Sequence, residues 1–334
     1  MSLARDKVRT TDFFCGPLRV SLRTENGELY DKIAETLLLY DFTWFAPYRP
    51  VEIHAQPRNG VPPPAAGNFL HCGRMLVDRL PNGLRATTTS GGQATAHFSD
   101  RGESWLVQVP DSLVESGKLE EIEDILSLVL TTGWRREGWA PIHAAAVKNA
   151  ATCAIICAPT GGGKTTLTAA LVRRGWRALG DDKILLRLHA GRPEIAALLH
   201  TFNLHPRTRE WFPEVGDLER LPHYSALTEK RKVQIRSIWA NAHAEKAHPS
   251  VLIALRRTTT GAGVIIRALD EREVLAALLH QTVIPSDAKT ARGILASAVG
   301  TAAHLRGLHV DVATDAYRDP RSLDRLESAL ERHG

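Results

Sequence analysis

Apolar and polar positions alternate over residues 16–23, with Leu18, Val20 and Leu22 on one face, and this period of two predicts a strand. The next stretch, NGELYDKIAETLLLY, changes period. Leu29, Ile33, Ala34 and Leu37 fall at helical spacing there and predict an amphipathic helix. Over residues 42–109 the pattern shortens into strand-like runs, VEIHAQ, RMLVDRL, LRATTTS and WLVQVP, separated by Gly, Pro and Asn turns. The segment RNGVPPPAAGN reads as a surface loop, because proline removes donors and fixes the backbone. Residues 119–134 predict a second helix with Ile122, Ile125, Leu126 and Val129 inward. Residues 1–135 thus read as a smaller α+β domain with no motif of its own.

The pattern changes near EGWAPIHAAAV, which puts a domain boundary at residues 135–139. From there to residue 334 the chain alternates strands, glycine-rich turns and helices, an α/β pattern. ATCAIICA is continuous enough for a buried strand. Toward the end, DEREVLAALLHQ and DAKTARGILASAVGTAAHL carry helical periodicity, LHVDVAT a late strand, and DPRSLDRLESALERH a closing amphipathic helix.

Composition narrows the class. A length of 334 residues favours two domains over one core. Hydrophobic content of 43% and charged content of 24% are those of an ordinary globular protein. The net charge of +5 is scattered, so it reads as a solvated surface and leaves an anionic partner open. Four cysteines, Cys15, Cys72, Cys153 and Cys157, are too few for a disulfide scaffold. Cys153 and Cys157 sit in the apolar strand as small hydrophobes, with no second pair at zinc spacing. The N-terminus lacks the apolar core of a signal peptide, and no apolar run approaches the roughly 20 residues of a membrane span. A cytoplasmic protein without membrane association is expected. A nucleic-acid partner is not, since no basic stripe or aromatic-studded sheet motif occurs.

Chemistry enters after ATCAIICA. Residues 158–165 read A-P-T-G-G-G-K-T, against the phosphate-loop template G-x-x-x-x-G-K-[S/T]. Ala158 replaces the template's first glycine and the rest fits. Gly161, Gly162 and Gly163 let successive backbone N–H groups turn inward. Together with Pro159, Thr160 and Thr166 they form the predicted nucleotide-binding loop. Lys164 reaches the β- and γ-phosphates and the Thr165 hydroxyl binds Mg²⁺. A helix starting there aims its positive end at the phosphates, with Leu167, Ala170 and Leu171 as its apolar face and Gly175 as its stop.

WRALGDDKILLRL follows, a short strand ending in Gly180, Asp181 and Asp182, then another strand. Two adjacent carboxylates at a strand end repel, so a divalent metal or a proton-transfer role accounts for them better than a solvated turn.

This order of strand, glycine loop, helix, strand and Asp-Asp resembles HPr kinase/phosphorylase and its HPr-kinase-related relatives. Asp182 lies 18 positions after Lys164, and His143, in HAAAV, 21 positions before it, the offset that family uses. The resemblance implies the P-loop fold shared with PEP carboxykinase over residues 136–334. It further implies that Lys164 neutralises the transferred phosphoryl group, Thr165 holds Mg²⁺, Asp182 accepts the acceptor's proton, and His143 sits beside the γ-phosphate; Asp181, the other carboxylate of the pair, is the second candidate metal residue. The family's further metal-binding Glu has three candidates here, Glu194, Glu210 and Glu214, and its C-terminal signature for phosphorolysis is not recognisable.

The expected function is an ATP- and Mg²⁺-dependent kinase acting on a Ser or Thr hydroxyl of a peptide or small protein, with the N-terminal domain available for docking. A small hydroxyl metabolite as acceptor, a nucleotide-sensing ATPase module and a carboxykinase-like phosphotransferase are the alternatives. ATP over GTP comes from the family, and a homo-oligomer stays open. Weaker signals are the basic run Lys230, Arg231 and Lys232, the pair Arg256 and Arg257 just past the strand SVLIAL, and HTFNLHPRTREWF as a peptide-binding or base-stacking lip.

Overall fold

The computed structural model describes residues 8–40, 45–59, 69–71, 75–89, 94–99, 102–116, 120–199, 201–223, 228–258, 263–285, 288–318 and 320–333. Cys72 and residues 60–68 of the proline-rich segment lie outside the described residues, as do Phe42, Arg74, Ser90, Leu119, His200, Asp287 and Asp319 at the ends of predicted segments. The fold is mixed α/β with several sheets. The chain divides into two compact units, Met1–Glu137 with Pro285–Asp287, and Gly138–Ile284 with Ala288–Gly334.

The first unit contains β1 (Arg9–Cys15), β2 (Leu18–Thr24), α1 (Gly27–Leu38), β3 (Arg49–Arg58), β4 (Phe69–His71), β5 (Met75–Leu80), β6 (Gly83–Thr88), β7 (Thr95–Phe98), β8 (Ser104–Pro110), α2 (Asp111–Ser116) and α3 (Glu120–Arg136). Its strands form one sheet in the order β1-β2-β3-β8-β7-β6-β5-β4. The β2–β3 and β3–β8 pairs are parallel and the others antiparallel, so α1 is the crossover from β2 to β3. Leu18, Val20 and Leu22 are fully buried, as their alternation predicts. The stripe Leu29, Ile33, Ala34 and Leu37 of α1 is buried, and so are Ile122, Ile125, Leu126 and Val129 of α3. The side chain of Asn26 caps α1 by accepting from the Leu29 N–H at 2.8 Å.

The second unit contains β9 (Ala140–Ile142), β10 (Ala145–Lys148), β11 (Cys153–Cys157), α4 (Lys164–Arg173), β12 (Arg177–Gly180), β13 (Ile184–His189), β14 (Arg192–Ala197), β15 (Thr201–Leu204), β16 (Arg231–Gln234), β17 (Lys246–Ala247), β18 (Val251–Thr258), β19 (Val264–Leu269), α5 (Glu271–His280), α6 (Ala288–Ala302), β20 (Arg306–Ala313) and α7 (Pro320–His333). Its main sheet runs β12-β10-β11-β18-β20-β19. A second sheet runs β17-β14-β13-β9, and β15 pairs with β16 as a separate ribbon. All of β11 is buried, which is why it reads as a continuous apolar run. Cys153 and Cys157 behave as the predicted small hydrophobes: burial pushes both thiols up to about 12. Leu167 and Leu171 of α4 are fully buried, which stabilises the fold by about 2 kcal/mol each. Gly175, at φ 94°, ends that helix. Glu327 of α7 then ties down its far end, accepting from Arg174 Nε at 2.7 Å and from Trp176 Nε1 at 2.8 Å.

Candidate functional site

Strand direction assembles the site. β11, β18 and β20 are parallel, while β10 runs antiparallel to both β11 and β12. The carboxyl ends of β12, β11, β18 and β20 therefore share one edge with the amino end of β10. His143 enters β10 at that edge, residues 158–163 leave β11 there, and Asp181 and Asp182 leave β12. A crevice outside the carboxyl ends of strands is where open α/β sheets bind ligands.

The loop from β11 to α4 is built by its glycines. Gly161 at φ 75° and Gly163 at φ 96° occupy the left-handed region. Gly162 is required for a different reason: a Cβ there would lie 2.9 Å from both the Ala158 Cβ and the Pro159 carbonyl oxygen. The Gly162 N–H donates to that same oxygen at 2.9 Å and closes the turn. Ala158, in the template's glycine position, is buried without needing a positive φ. The Lys164 ammonium is held beneath the loop and donates to the Ala158 carbonyl at 2.9 Å. Burial lowers its pKa, opposed first by the nearby Asp182 carboxylate.

Asp181 stands behind Thr165. It is 2% exposed, and its Oδ2 accepts from the Thr165 hydroxyl at 2.9 Å and from the Asn203 N–H at 3.0 Å. Burial, reinforced by the adjacent Asp182, pushes its carboxyl up to about 6. Asp182 faces the other way. Its Oδ1 meets His143 Nε2 at 2.7 Å. Burial alone would raise its pKa, but the hydrogen bond and charge of His143, then Lys164 and Lys183, hold it below the usual carboxylate range. The two aspartates have opposite environments and opposite shifts, a separation that distinguishes acid, base and ligand roles in active sites.

A cavity of about 590 Å³ is lined by residues 159–166 together with His143 and Asp182. Thr165 reaches it directly, whereas Asp181 does not line it. Of the three downstream glutamates, Glu210 lines the cavity. Glu194 instead pairs with Arg187 at 2.6 Å and Glu214 with Arg173 at 3.0 Å. Among the described residues no cluster of three or more His, Cys, Asp or Glu could hold a metal by itself.

Arg256 and Arg257 lie within β18, not past it, because β20 pairs with β18 through Thr258. In that register Arg256 faces Asp311 and binds it in bidentate fashion at 2.7 and 2.8 Å. Arg257 lines the cavity and has no ion-pair partner among the described residues, and the same holds for Lys230. Asn203, Trp211 and Thr314 also belong to the site. Composition points to HTFNLHPRTREWF, which holds both Asn203 and Trp211, but no local spacing marks Asn203 or Thr314 individually. On the other side of the glycine loop lies a second cavity of about 630 Å³, lined by Ala254, Ala277, His280, Gln281, His309 and others.

No helix among the described residues is long and apolar enough to cross a membrane. No family model matches the chain, and no curated protein matches it. Among solved structures, the chain is similar to the HPr(Ser) kinase/phosphatase from Coxiella burnetii, with 10% identity and a TM-score of 0.33, over 58% of this chain and 99% of that one.

Proposed function

We propose that this chain is an ATP-dependent kinase that phosphorylates a Ser or Thr hydroxyl of a peptide or small protein. The observation that carries the reading is the meeting of Lys164, Thr165 and the Asp182–His143 pair at one cavity mouth. Loop N–H groups and the amino end of α4 suit a phosphate chain. One Lys164 N–H goes to Ala158, leaving two donors for the transferred group.

Asp182, ionised at neutral pH and oriented by His143, would accept the acceptor's proton as its oxygen bonds to the γ-phosphorus. The bond from that phosphorus to the bridging oxygen breaks, and ADP leaves with the electron pair. The Thr165 hydroxyl, with Asp181 behind it, fits Mg²⁺, which takes oxygen ligands and relies on substrate phosphates for the rest. When bound, that ion would supply charge neutralisation of the phosphates.

Transfer of γ-labelled phosphate from ATP with Mg²⁺ into a lysate, followed by mass spectrometry of labelled species, tests the proposal. Label present with the wild type and absent with Asp182→Asn is the expected result. No label in any peptide, protein or metabolite, with nucleotide still bound by both proteins, would make the site a nucleotide sensor.

A further inference from the structure

The segment from His205 to Trp211 contributes a wall of the main cavity that the transfer chemistry leaves unused. It starts with a short turn capped by the His205 ring, which accepts from the Arg207 N–H at 3.1 Å. Thr208 is buried at its centre, and Trp211 follows as a residue of the cavity lining. Arg173, on the last turn of α4, donates to the Trp211 carbonyl at 3.1 Å, so the segment runs alongside that helix. The Trp211 ring packs at 6.0 Å from Tyr317, whose hydroxyl lies under Gly163.

This placement orders the cavity. Asp182, His143 and Lys164 fix the end where a phosphoryl group would be transferred. The remaining phosphates of a donor would follow the first turn of α4, past Thr165 and Thr166. What lies beyond them on the α4 side is the Trp211 wall. Nε1 of Trp211 is buried with no acceptor among the described residues, so what the ring can offer a ligand here is carbon surface and not a hydrogen bond. Arg207 is exposed on the same wall and has no ion-pair partner among the described residues. A flat aromatic surface beside a guanidinium suits a nucleobase, which stacks on either.

We propose that Trp211 is the stacking platform for the base of a nucleoside diphosphate or triphosphate, with Arg207 flanking it. This rests on the reading of residues 158–165 as the phosphate site. Stacking uses the π-face that every base has, so ADP and GDP bind alike.

Calorimetric titration with ADP, GDP and pyrophosphate, each with Mg²⁺, separates the two readings. Trp211→Ala is expected to weaken ADP and GDP by about tenfold or more, the usual cost of losing one stack, while pyrophosphate affinity is unchanged. Trp211→Phe, which keeps a ring and lacks Nε1, is expected to retain most of the ADP affinity. Equal losses for ADP and pyrophosphate in Trp211→Ala would make the ring a support of the loop and overturn the proposal. So would an ADP loss in Ala277→Phe with Trp211→Ala silent, which would put the base in the second cavity. A wild type that binds ADP but not pyrophosphate would count against the phosphate site and against the base position argued from it. Binding of neither would remove both.

Discussion

The Thr165 hydroxyl donates to Asp181 Oδ2 at 2.9 Å, and the Asn203 N–H donates to the same oxygen at 3.0 Å. These bonds hold a carboxylate that burial would otherwise force to protonate near neutrality. Between pH 3.8 and about 6 the folded chain keeps a proton on Asp181 that the unfolded chain has lost. That stabilisation is complete below the unfolded pKa and lost as pH rises through the folded one. Asp181→Asn cannot ionise, so it is expected to stabilise the nucleotide-free protein at pH 8 by roughly 2–3 kcal/mol at most, seen as a higher melting temperature, with the advantage shrinking toward pH 4. Thermal denaturation across that range checks it. A constant difference would show that ionisation of Asp181 is not the cause.

Asp182 titrates with the opposite sign, since its partners hold its pKa down. His143→Ala removes the largest of those partners, and burial then raises the carboxyl. The acid limb of the transfer rate is expected to move to higher pH, where an unmoved limb would separate His143 from Asp182 function.

Asp182→Asn is expected to lower phosphoryl transfer by about 10²–10⁴-fold, the contribution of a positioned general base, while nucleotide affinity is retained. Single-turnover transfer and nucleotide titration on the same preparation read the two quantities. An affinity loss as large as the rate loss would make Asp182 a binding group.

The loop supplies a paired test. Gly162→Ala puts a methyl group 2.9 Å from the Ala158 Cβ and the Pro159 oxygen, and should cost about 1–3 kcal/mol of overpacking, read as weaker binding of pyrophosphate and ADP alike. Adding Ala158→Gly removes one of the two clashes and is expected to restore part of the affinity. No recovery would place the whole cost on the Pro159 oxygen.

The loop and the two aspartates are legible in the sequence because their chemistry is local: three glycines, a Lys-Thr pair and a strand end within a few turns of chain. The helix stripes are legible for the same reason, periodicity being a property of one element. What holds Asp181 in place is not. Asn203 arrives from a separate two-stranded ribbon, 22 residues away, and no spacing encodes that contact. The end of β18 is misread because strand length is set by the partner: Arg256 belongs to the strand only because Asp311 of β20 stands opposite it. His143 is found by its offset, yet its bond to Asp182 depends on β10 running against its neighbours.

That reversed strand has a practical side. Because β10 and β11 form a hairpin, their turn lies at the edge of the sheet away from the loop, about four residues or 13 Å along the strands. Asn149 secures it, accepting from the N–H groups of Ala151 and Thr152, and Ala150 and Ala151 are exposed. A reporter group or a surface tether introduced at Ala150 would sit on rigid backbone, fixed to the strand that delivers the loop, without entering either cavity.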